Sequence, residues 1–265
     1  MTTTLGVVFR PQSPPERLRE VIHSAEAAGL AELWLWEDCF LEGGLTAATA
    51  ALAWSERLHV GLGLLPVPLR NPAVAAMEIA TVARLFPGRF LPGLGHGVLD
   101  WMAQVGARVP SPMTLLREHT TAVRDLLHGR TVDVDGRFVH LERVALDWPP
   151  ADVPPVFVGG RGPKTVRLAG EVGDGVLLDS GFTPPQVRAA CEQVAEGRVA
   201  AGRTGEPFRT VVYAELDTKA GDLQGRVEET VGALSEAGAD TVVLQATGEH
   251  PDPEPLIEAV AQRPR

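Results

Sequence analysis

Eight short apolar runs recur along the 265-residue chain, and helix-forming stretches separate them. The runs are Leu5–Phe9, Leu33–Trp36, Leu58–Leu65, Arg89–Gly95, Val156–Val158, Gly175–Leu178, Thr210–Leu216 and Thr241–Gln245. They are rich in valine and leucine and lack a strict polar–apolar alternation, the pattern of strands buried on both faces. Between them, Leu18, Val21, Ile22, Ala25 and Ala28 keep one face of a helix that starts near Pro14 and that Gly29 ends. Further helices are predicted over Leu45–Ser55, Pro72–Ala83, Leu115–Leu127, Pro184–Ala201, Leu223–Ala237 and Pro253–Gln262. Such alternation specifies a parallel sheet covered by helices, and eight units in about 250 residues match a closed barrel. An open doubly wound sheet would carry a glycine fingerprint after its first strand. Here that turn is Arg10-Pro-Gln-Ser-Pro-Pro15, without glycine. The expectation is an α/β protein, a (β/α)8 TIM barrel forming one domain over residues 1–265. Thr131–Val134 and Arg137–Leu141, around Asp135-Gly136, read as a β-hairpin inserted between barrel units four and five.

A barrel carries its site at the C-terminal ends of its strands, so the residues that follow each run are the candidates. After the fifth comes Gly159-Gly160-Arg161-Gly162-Pro163. Its glycines permit close backbone approach, Pro163 suits a first helical turn, and free N–H groups at a helix start bind anions. Arg161 and Lys164 add positive charge there. The same residues would also serve as a plain strand-to-helix turn. After the second run, Glu37-Asp38-Cys39 offers a carboxylate pair that can hold a proton, orient a ring N–H or cap the next segment. After the fourth, His96 between Gly95 and Gly97 is placed as a proton donor or a ligand hydrogen bond. Trp36, Leu64, Leu65 and Trp101 are expected to form an apolar wall, and Trp34 to be ordinary core. The segment Val98–Pro112 is expected to cover the mouth.

The formal net charge of −10 argues against nonspecific nucleic-acid binding and against an anionic membrane surface. Cys39 and Cys191 form neither a metal-type cluster nor a disulfide framework, so no metal is expected. The stretch Met-Thr-Thr-Thr-Leu-Gly lacks signal-peptide regions and no apolar run reaches membrane-spanning length, so a cytoplasmic protein is expected.

Four segments together resemble the bacterial luciferase-like superfamily, in its actinobacterial branch of oxidoreductases that use the deazaflavin coenzyme F(420). They are Ala27–Asp38, Val60–Pro66 with Asn71–Ala73, Phe86–Gly97, and Pro155–Pro163 with Ala169–Gly175. The resemblance implies a ring lying across the mouth on a strand-three bulge at Gly63, Leu64 and Leu65, with a non-prolyl cis peptide at Gly63–Leu64. It implies that Asp38 contacts the ring edge, that Gly95 belongs to the cofactor site, and that Gly159, Gly160, Arg161, Gly162 and Pro163 hold the phosphate. His96, Glu37 and Cys39 are the candidate proton-handling residues. In the sugar-phosphate dehydrogenase subgroup a histidine stands where this chain has Cys39, and a glutamate where it has Val98. Both departures argue against glucose-6-phosphate chemistry. The implied function is hydride transfer between coenzyme F(420) and a small organic substrate. The alternatives are an FMN-dependent monooxygenase with a flavin reductase partner, or a non-catalytic flavin or deazaflavin binder. A homodimer is the implied assembly, with the helix through Met77 and Ile79 as a compatible surface.

Overall fold

The computed structural model describes residues 3–262. Eight parallel strands close into a barrel: β1 (Thr4–Val8), β2 (Glu32–Leu35), β3 (His59–Pro66), β4 (Phe90–Gly95), β7 (Phe157–Gly159), β8 (Gly175–Leu178), β9 (Arg209–Glu215) and β10 (Thr241–Gln245). Each pairs with its neighbour around the ring, and β1 closes on β10 through Thr4↔Thr241 and Val7↔Leu244. The helices are α1 (Leu18–Ala27), α2 (Gly44–Ala53), α3 (Pro72–Leu85), α4 (Leu99–Gln104), α5 (Pro112–Leu127), α6 (Pro163–Val172), α7 (Pro184–Ala200), α8 (Leu223–Glu236) and α9 (Glu254–Ala261).

Two cores follow from two-sided burial of the strands. Inside the barrel, Val8, Trp34, Leu91, Phe157, Leu177, Val211, Tyr213 and Val243 pack together. Trp34 meets Phe157 and Tyr213 edge-on, at 5.9 and 5.8 Å between ring centroids, a geometry the ring quadrupoles favour. Outside it, residues such as Ile22, Leu52, Ile79 and Leu116 pack between helices and sheet. Trp34 is core, as expected. At the N-terminal end, buried Glu32 pairs with Arg209 at 2.6 Å and accepts the Trp34 indole N–H at 2.9 Å. Asp174 accepts from Arg124, Arg203 and the Val156 N–H at 2.6, 2.8 and 3.0 Å, tying α5 to the strand starts.

Three local expectations change. A 3₁₀ turn at Pro15–Arg17 precedes α1, which begins only at Leu18. The hairpin strands β5 (Val132–Asp135) and β6 (His140–Val144) pair Asp135 with His140, so the turn spans four residues instead of Asp135-Gly136 alone. The cause is Glu118 on α5, whose carboxylate accepts the N–H groups of Arg137, Phe138 and Val139 at 2.9, 2.8 and 3.0 Å. Ile79 is buried in the outer core, whereas Val74, Met77 and Leu85 of α3 are exposed.

Candidate functional site

At the C-terminal mouth lies a cavity of about 500 Å³, within the ordinary range for small-molecule sites. Strand three shapes its floor. The β3–β4 register shifts between Leu62 and Leu65, and the Gly63–Leu64 peptide is cis, as the resemblance implies; Cys39–Phe40 is cis as well. The bulge sends neighbouring side chains to opposite faces. Leu64 lines the cavity, while Leu65 is buried in the outer core and does not contribute to the wall.

Leu64 also explains two of the glycines. A Cβ on Gly95 or on Gly159 would lie 2.3 Å from the Leu64 Cδ2. Gly95 therefore makes room for Leu64 and is not itself part of the cavity lining. At Gly63 a Cβ would lie 2.2 Å from the Tyr213 hydroxyl, so only glycine lets that ring rise to the floor.

The polar groups sit on opposite sides of the ring of strands. After β2, Asp38 lines the cavity, and burial holds its carboxyl above the usual range, with Arg10 pulling the other way. Arg10 itself is committed, donating to Glu215 at 2.9 Å and to the Ala246 carbonyl at 2.6 Å. Glu37 also reaches the lining, but its carboxylate takes Arg70 in a two-pronged pair and accepts the Gly44 N–H at the start of α2 at 2.9 Å. Cys39 stands outside the lining; burial, then Glu37 and Asp38, push its thiol up, which keeps it protonated. After β4, His96 lines the cavity with its Nδ1 buried and unpartnered, and burial lowers its pKa.

Across the mouth, Gly159, Gly160 and Arg161 line the cavity after β7, and Asp179 and Ser180 after β8. The Gly160 N–H donates to the Leu177 carbonyl at 3.0 Å, whereas the N–H groups of Arg161 and Gly162 make no backbone bond. Nothing lies within 4 Å of a Cβ placed on Gly162, so the turn is open there. Exposed Arg161 pairs with half-buried Asp179 at 3.0 Å, and Pro163 faces an adjoining groove that these two residues share. Two free N–H groups, a guanidinium and a helix start suit a phosphate. Burial holds the Asp179 carboxyl up, against Arg161.

Ser180, which follows the sixth run, also lines the cavity, as do Tyr213, Leu177 and Gln245, which were not singled out in the sequence. Alternation along β9 would have pointed Tyr213 inward, in step with Val211. Trp36, Pro66, Val98 and Trp101 form the apolar wall. Of the segment Val98–Pro112, α4 and its approach supply Val98 and Trp101 to that wall.

The family model for luciferase-like monooxygenases matches residues 2–226. The 5,10-methylenetetrahydromethanopterin reductase of Methanolobus tindarius is 28% identical over 250 residues, 94% of this chain and 76% of the relative. The F(420)-dependent glucose-6-phosphate dehydrogenase of Mycolicibacterium fortuitum is 33% identical over 223 residues, 77% of this chain and 66% of the relative. Among solved structures, an F(420)-dependent secondary alcohol dehydrogenase in complex with an F(420)-acetone adduct superimposes with a TM-score of 0.84 at 18% identity, covering 100% of both chains. That likeness is one of fold. Among the described residues, no helix is long and apolar enough to cross a membrane, and no group of side chains could hold a metal ion.

Proposed function

The chain belongs to the luciferase-like monooxygenase family, and from that premise we propose that it is an oxidoreductase transferring a hydride between coenzyme F(420) and a small organic substrate. The observation that carries this reading is the Leu64 platform. It extends over Gly95 and Gly159, between a half-buried carboxyl at Asp38 and the anion turn that Gly160 and Arg161 bring into the lining. A planar ring bearing a phosphate tail needs those three features in one cavity. The relatives named for methanopterin reduction and for F(420)-dependent dehydrogenation supply the cofactor class.

When bound, the deazaflavin supplies a hydride donor or acceptor, and the protein supplies orientation and a proton. Leu64 fixes the ring face. Asp38, whose carboxyl burial holds up against the pull of Arg10, would meet the ring edge. Arg161 and the open N–H groups take the phosphate, which competes with Asp179 for the guanidinium. His96 is the proton-handling group, because Glu37 is tied to Arg70 and Cys39 stands outside the cavity. Burial lowers the His96 pKa and keeps the half-buried imidazole unprotonated at neutral pH, where it is free to take the proton of an alcohol, and lower pH favours reduction by protonating it. The exposed Val74, Met77 and Leu85 face of α3 is the proposed homodimer surface.

Titration of the purified chain with coenzyme F(420) and with FMN, followed by fluorescence, tests the reading. Saturable deazaflavin binding is expected, weakened roughly tenfold by Arg161→Ala through loss of a charge-assisted contact. Tighter binding of FMN, with NADH-dependent oxygen uptake in the presence of a flavin reductase, would overturn it in favour of a monooxygenase.

A further inference from the structure

We infer that the mouth accepts an uncharged, predominantly apolar carbonyl compound, or the matching alcohol, and discriminates against carboxylates and phosphates. The inference deepens the deazaflavin reading and rests on it. Its basis is how the cations around the cavity are committed.

Arg161 is the one guanidinium or ammonium in the lining among the described residues, and it belongs to the phosphate turn on β7. The two arginines behind the wall are spoken for. Arg10 is held by Glu215 and the Ala246 carbonyl and lies over the Trp36 ring at 5.0 Å. Arg70 is held by Glu37 and Glu78. In strand order β2 lies opposite β8, so the Asp38 side of the mouth is diametrically across from the Asp179 side. On that side the charged groups facing the cavity are carboxyls, Glu37 and Asp38, and the rest of the wall is Trp36, Pro66, Val98 and Trp101. An anionic substrate would leave water for a carboxyl-lined, apolar wall with no free cation, which is unfavourable on both counts. A neutral ketone loses little hydration and packs against the indoles.

The alcohol form of such a substrate finds an acceptor for its O–H. The Gln245 amide donates to Ser180 at 3.2 Å and to Glu215 at 3.1 Å, which leaves its carbonyl oxygen to accept. His96 lines the same cavity, with the Thr165 hydroxyl 3.5 Å from its Nε2. In the reductive direction a bound reduced deazaflavin would supply the hydride and its two electrons to the carbonyl carbon as the C=O π bond breaks, and protonated His96 would give its proton to the oxygen, so that the ketone becomes the alcohol.

The test uses matched ligands of similar size, cyclohexanone and cyclohexanecarboxylate. Each is titrated by calorimetry into the full chain, with and without oxidised coenzyme F(420). Cyclohexanone is expected to bind at least roughly tenfold more tightly, a modest figure for one desolvated charge. In Val98→Arg the preference should narrow or invert; Val98 is 46% exposed, so arginine there leaves the fold intact. Equal or tighter carboxylate binding by the unaltered chain, or no cyclohexanone binding, would sink the inference. Failure of the chain to bind coenzyme F(420) would instead remove the cofactor reading, while the cofactor-free titration still reports the charge preference.

Discussion

Leu64 shows how one side chain accounts for residues far from it in sequence. Its Cδ2 methyl occupies the space that Cβ atoms on both Gly95 and Gly159 would need. Because the obstacle is the flexible end of a leucine, Gly159→Ala should cost the fold only about 1 kcal/mol, at the low end for overpacking. The platform would shift, so coenzyme F(420) binding should weaken by more than urea unfolding suggests. Glu42 poses a different problem. Both of its carboxyl oxygens are buried without a partner, and burial pushes its pKa from 4.5 up to about 7. Between those values the native state holds a proton that the unfolded chain has released, so stability falls as pH rises through that window. Glu42→Gln keeps the shape and removes the titration. Its Tm should match the unaltered chain near pH 4 and exceed it by about 2–4 °C at pH 8, for roughly 1 kcal/mol after solvent screening.

At the scale of elements, the hairpin β5–β6 illustrates tertiary control of a turn. An Asp-Gly pair in isolation favours a two-residue connection, yet Glu118 reaches from α5 and organises three successive N–H groups into a wider loop. Burial would raise the Glu118 pKa, but those donors outweigh it and the net shift is downward. The stabilisation is thus present above the ordinary carboxylate range and disappears as pH falls through the lowered value. Glu118→Ala should leave the barrel's unfolding transition nearly unchanged while speeding amide exchange and protease cleavage around residues 136–139. Unchanged exchange there would show that the hairpin holds itself. Similarly, α4 was not legible as a helix, because its six residues are too few to display a period. Contact with the mouth places Trp101 and buries Met102.

For the molecule as a whole, buried Glu32 pairs with half-buried Arg209 at the N-terminal end of the barrel and joins β2 to β9 across the interior. Arg209→Met would leave a buried carboxylate with only the Trp34 N–H, and removing one partner of such a pair typically costs about 3–5 kcal/mol. Urea unfolding should show a loss of that order; a loss below about 1 kcal/mol would mean that water reaches Glu32 freely. Barrel closure, strand order and the placement of the glycine turn after the fifth barrel strand were all readable in advance. Each follows from local periodicity and from the chirality and shortness of strand–helix connections. Asp38, His96, Leu64 and the Gly159–Arg161 turn were readable as mouth residues for the same reason, since a strand's end determines where its next residues lie. What the linear order could not contain were choices made between distant segments. Arg70 claims Glu37, Leu64 fills the space above Gly95 and Gly159, and Tyr213 rises under Gly63. Those depend on three-dimensional neighbours and on which charge finds a partner. Sequence by itself determined the barrel and where its mouth lies, and tertiary packing decided which groups in that mouth remain free to act.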